Sequence, residues 1–106
     1  MKHHNETQKK SLEAQQLSLY KAFLTLETVD EVRQFLLDLC TPSELEAIVD
    51  RWWTVSLLNE GLSYRDISER TGVSVTTIGR VARYLNMGEG GYRLALRRDR
   101  AGEKTA

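Results

Sequence analysis

The sequence predicts an all-α fold organised around a helix-turn-helix. Three observations predict it. No stretch alternates apolar and polar residues for long enough to make a strand. Apolar residues recur instead at three- and four-residue spacing along most of the chain, and capping residues stand at the starts of those segments. With 106 residues, 41% of them hydrophobic, the chain has room for one globular domain with tails.

The segments follow in order. Residues 1–10 are polar and read as a flexible N-terminus, and residues 11–87 read as the helical body. From Ser11 to about Leu26, the side chains of Leu12, Leu19, Tyr20, Phe23, Leu24 and Leu26 give a broad apolar face. Thr28 with Glu31 three positions on fits a capping box, which opens a short helix carrying Val32, Phe35, Leu36 and Leu39. Thr41-Pro42-Ser43-Glu44 is the cleanest start signal. Thr41 caps, Pro42 takes the first helical position where its missing N–H costs nothing, and Glu44 closes the box. That helix runs to about Asn59 with Leu45, Ile48, Trp52, Val55 and Leu58 as its buried stripe, and Gly61 is a left-handed stop.

The pattern then shortens into a helix-turn-helix over about residues 63–86. Ser63-Tyr64-Arg65-Asp66 caps a helix of two turns that holds Ile67 inward. Gly72 permits a sharp corner, and Ser74 caps a second helix from Val75 to about Asn86. Ile67, Val73, Ile78 and Val81 lock the two helices at a wide angle. Thr76, Thr77, Gly79, Arg80 and Arg83 then face outward from the second. Small residues near that helix start let the backbone approach a groove. The threonines suit phosphates or bases, the arginines suit guanine edges or phosphates, and Ser74 with the free amides can hold a phosphate. Arg65, on the first helix, is the phosphate positioner. Residues 88–106 read as a Gly88-Glu89-Gly90-Gly91 linker, a short helix from about Tyr92 to Arg98, and a basic tail.

A net charge of zero hides an asymmetry. Residues 1–60 hold six Lys/Arg against ten Asp/Glu, whereas residues 61–100 hold eight Arg against four Asp/Glu. An acidic half and an arginine-rich half fit a polyanion-binding end joined to a structural end. Other functions are poorly supplied. There is no apolar run long enough for a membrane span, no apolar core in the N-terminal stretch for a secretory signal, and one cysteine, Cys40, so a cytoplasmic protein is expected. His3 and His4 lack a third ligand at regular spacing, and the glycine run lacks the Lys-Ser/Thr of a P-loop. No cofactor, metal or enzymatic activity is expected.

From Phe35 to about Asn86 the sequence resembles the Trp repressor family, and within it the YerC/YecD-type branch. The residues that carry the resemblance are Leu39-Cys40-Thr41-Pro42-Ser43-Glu44-Leu45-Glu46-Ala47, Leu57-Leu58-Asn59-Glu60-Gly61-Leu62-Ser63-Tyr64-Arg65-Asp66-Ile67 and Thr76-Thr77-Ile78-Gly79-Arg80. The resemblance implies an intertwined helical homodimer whose two reading helices address successive major grooves of double-stranded DNA. It implies an effector pocket in which Arg51 and Arg80 sandwich an indole. Here the chain departs from the pattern. Val81 and Tyr84 stand where the family has Gly and Ser, and Asp38 and Cys40 stand where tryptophan-responsive members have leucines. The expectation is therefore a pocket partly filled by Tyr84 and Val81, with reading heads set without tryptophan or by another small ligand. The adjacent Trp52 and Trp53, on different sides of one helix, agree with a dimer. The leading functional reading is a dimeric, sequence-specific transcriptional regulator, a repressor that occludes a palindromic operator. The alternative is a helical interaction module that uses the same surface to dock a protein.

Overall fold

The computed structural model describes residues 5–105, and side chains within residues 5–99. These residues form six helices and no strand, as predicted: α1 (Glu6–Leu24), α2 (Val29–Leu39), α3 (Pro42–Asn59), α4 (Tyr64–Thr71), α5 (Val75–Met87) and α6 (Gly91–Thr105). The chain divides into two compact units, residues 1–41 and 42–106.

In the first unit, α1 starts at Glu6, before the Ser11 expected from the apolar pattern. The cause is a polar signal that the apolar count ignores. The Asn5 side chain accepts from the Gln8 N–H at 2.8 Å, and the Gln8 side chain accepts from the Asn5 N–H at 2.9 Å, a complete capping box. Residues 6–10 are thus helical rather than a loose tail. The expected box at Thr28 is half realised. Thr28 Oγ1 accepts from the Glu31 N–H, but the Glu31 carboxylate reaches past the cap to the N–H of Glu27 at 2.8 Å. The rings of Phe23 and Phe35 meet edge to face with centroids 5.1 Å apart. Neither α1 nor α2 has a buried residue.

The second unit holds the core. Leu57, Ile67, Val73 and Ile78 pack together, with Leu58 and Leu62 against them. Each of α3, α4 and α5 contacts the other two. The four residues expected to lock the helix-turn-helix are all buried: Ile67 and Ile78 at 0%, Val73 at 7% and Val81 at 4% exposure. The turns are glycine-made. α3 ends with the Leu62 N–H on the Leu57 carbonyl and the Gly61 N–H on the Leu58 carbonyl, while Gly61 sits at φ +88°. This is a Schellman stop, and Leu62 returns to the core beside Leu57. Gly72 ends α4 at φ +75°.

The stripe expected on α3 needs correction. Val55 is buried, but Ile48 and Trp52 are exposed at 43% and 38%, and the other buried positions are Thr54 and Leu57. Within this unit the core gathers on the last turns of α3. The helical period places Ile48 and Trp52 on one face, but burial depends on what covers that face.

Candidate nucleic-acid interface

The second helix of the pair, α5, is set up by its cap. Ser74 Oγ accepts from the Thr77 N–H at 3.1 Å, and the Ser74 hydroxyl donates to Thr77 Oγ1 at 3.0 Å. Ser74 and Thr77 thereby fasten the helix start. Thr77 is half-buried; its hydroxyl bonds back to the cap, and the residue lines a cleft with Arg51 and Arg80. Ser74, Val75 and Thr76 form the exposed leading edge. Val75, 54% exposed, was not singled out from the sequence. Its place directly after the cap is the signal that could have found it.

Two arginines extend that edge. Arg80 and Arg83 are exposed, and neither makes an ion pair among the described residues. With Gly79 and Tyr84 they line one concave face. Arg65, on α4, is also exposed but shares its charge with Glu69 at 3.5 Å. Gly79 neighbours a side chain of α4. A Cβ there would stand 3.8 Å from the ring edge of Tyr64, an ordinary contact distance, so an aromatic side chain of α4 lies alongside this position.

Arg51, Thr77, Arg80, Val81, Tyr84 and Tyr92 enclose a cleft of about 270 Å³. The two arginines of the expected pocket are brought together there, with Val81 and Tyr84 in its wall. Tyr92, from the start of α6, completes it and was missed in the sequence reading. The only sequence signal was an aromatic residue directly after a glycine run. A more open cleft of about 380 Å³ adjoins Tyr84 and Tyr92 and is floored by residues 88–91.

Local bonding holds the start of α6 in place. Arg93 Nε donates to the Leu85 carbonyl at 3.0 Å, and Nη2 donates to Asn86 Oδ1 at 2.9 Å. α5 has no basic residue in its own last turn, so Arg93 supplies the cation that its C-terminal dipole favours. α6 continues to Thr105, beyond the Arg98 expected from its apolar positions. Arg97 and Arg98 are exposed on it. His3 and His4 lie outside the described residues. No described helix is long and apolar enough to cross a membrane.

The family model described as Trp repressor protein matches residues 14–100. The uncharacterized protein YerC of Bacillus subtilis is 39% identical over 80 residues, covering 76% of this chain and 77% of YerC. Among solved structures, a TrpR-like protein from Eubacterium eligens superposes with a TM-score of 0.70 at 41% identity, covering 76% of this chain and 84% of that one. A candidate Trp repressor from Staphylococcus aureus gives a TM-score of 0.78 at 36% identity, covering 82% of this chain and 87% of the other.

Proposed function

The chain belongs to the Trp repressor family, and from that premise we propose that it is a sequence-specific DNA-binding regulator. It acts in the cytoplasm as an intertwined homodimer and represses by occupying a palindromic operator. The observation that carries this reading is the bare cationic edge of α5. Arg80 and Arg83 are exposed and unpaired among the described residues, on a helix whose inner face is anchored by the fully buried Ile78. A rigid helix with a charged, open flank is what groove entry requires. Thr76 and the α5 backbone reach base edges or phosphates, Ser74 and Thr77 hold the helix start, and Arg65 steadies the phosphate backbone.

Exposure in a single chain supports the dimer. Leu24 is 85% and Val29 89% exposed in the first unit, and Ile48, Val49, Trp52 and Trp53 are all at least 38% exposed on α3. Apolar surface on that scale is costly in water, and a second copy covers it. The cleft is not a tryptophan site in this reading. Tyr84, Val81 and Tyr92 take up space around Arg51 and Arg80, so the reading heads are set without tryptophan, or by another small ligand.

In vitro selection of duplexes, followed by footprinting and sedimentation of the complex, tests the proposal. The expected result is a palindromic protected site with half-sites about one helical turn apart, bound by two chains with steep salt dependence. Failure to enrich any duplex would overturn it. Binding of a protein partner, insensitive to salt, would point to the interaction-module reading.

A further inference from the structure

We infer that Tyr64 is a further DNA contact: its phenol hydroxyl donates a hydrogen bond to a backbone phosphate flanking the site that α5 reads. This rests on the DNA-binding reading above and gives a contact role to a residue that stood only within the capping signal and the family resemblance.

Gly79 carries no Cβ. Its missing side chain leaves the outer surface of α5 open at that point, and the ring edge of Tyr64 stands 3.8 Å from where a Cβ would be. One edge of the ring, borne on α4, therefore lies alongside α5. A large side chain at position 79 would compete with the ring for that space. Yet the residue stays 42% exposed, unlike Ile67 on the same helix, which is fully buried. The hydroxyl makes no hydrogen bond among the described residues. Tyr64 is thus a ring partly held by apolar contact, with a polar tip that has no protein partner.

Location supplies the partner's chemistry. Tyr64 opens α4, next to Ser63, whose side chain accepts from the Asp66 N–H at 3.1 Å. The exposed Arg65 lies on the same helix, and the exposed Arg80 lies on α5, so the helix pair that carries Tyr64 is also cationic. In helix-turn-helix docking the first helix crosses the phosphate backbone, and tyrosine hydroxyls are among the side chains that position proteins there. A tyrosine has few torsions to order, so the ring adds a directed donor at small entropic cost.

A neutral donor leaves a distinctive signature. It strengthens phosphate binding without neutralising a charge, so it releases no counterion and leaves the salt slope unchanged. An arginine contact alters both. A base contact would show as a loss confined to particular sequences.

The test compares the full chain with its Tyr64→Phe variant, which keeps the ring beside Gly79 and removes only the hydroxyl. Fluorescence anisotropy is read on a labelled duplex of about 30 base pairs enriched by selection with the unmodified protein, and on a scrambled duplex of equal composition. Salt is varied from about 50 to 200 mM. The expected result is binding about 3- to 10-fold weaker on both duplexes, with parallel salt dependence and an unchanged unfolding midpoint. Unchanged affinity on both duplexes overturns the inference, as does a loss limited to the selected duplex. If the unmodified protein binds neither duplex, the DNA-binding reading falls, and this inference falls with it.

Discussion

Arg83→Ala is the sharpest perturbation of the proposed interface. The side chain is exposed and makes no ion pair among the described residues, so little of the fold depends on it. If it neutralises one phosphate per protomer, a dimer carrying the change releases two fewer counterions' worth of charge. The slope of log affinity against log salt should then shallow by about 1.8. Between about 50 and 200 mM salt that difference amounts to roughly 12-fold, well outside the error of an anisotropy titration. Arg80→Ala should behave similarly if it too meets a phosphate. If either arginine reads a base instead, the loss is about 1–3 kcal/mol per contact and depends on the sequence. Arg65→Ala differs, because its pairing with Glu69 is lost as well. That pair is exposed and worth no more than about 0.5 kcal/mol, so helix stability barely moves. A triple variant with Ala at positions 65, 80 and 83 that kept full affinity and the full salt slope would refute the reasoning.

Three further outcomes are expected. Gly72→Ala should destabilise by about 1–2 kcal/mol in urea unfolding at fixed protein concentration: the position is open, but its φ of +75° disfavours any residue with a Cβ. Ile78→Ala should cost about 2–5 kcal/mol by the same measurement, because the side chain is fully buried, whereas Val75→Ala at 54% exposure should stay within about 0.5 kcal/mol; equal effects would contradict the packing described. Calorimetric titration with tryptophan should give no saturable heat at micromolar concentrations, and a saturable signal would show that Tyr84, Val81 and Tyr92 leave the cleft open to an indole.

The helix-turn-helix was legible because local signals and long-range packing agree there. Ser63, Gly72 and Ser74 act on their own backbone, Ile67, Val73 and Ile78 meet a core shared with Leu57 of the neighbouring helix, and Val81 is buried as well. The α3 stripe was legible only in part, since periodicity names a face without saying what lies against it. Trp52 and Ile48 show the difference. The start of α1 escaped because Asn5 and Gln8 are polar and a search for apolar spacing passes over them. In the site, the exposed arginines followed from helix geometry. The approach of Tyr64 to Gly79 and the closure of the cleft by Tyr92 depend on contacts between different helices, which spacing along one helix does not encode.

Gly88 carries a consequence for the upkeep of this protein. Any larger residue there would drive its Cβ into the backbone carbonyl of Tyr84, so the chain leaves α5 in a direction that tolerates no substitute without a shift. That exit heading leads into the next three residues, and after them come the aromatic wall of Tyr92 and the guanidinium brace of Arg93. The bulk allowed at position 88 thus bears on where the aromatic wall of the cleft of about 270 Å³ stands, although Gly88 does not line that cleft. A bulkier residue at this one position should therefore move the wall itself, with every residue that lines the cleft left unchanged.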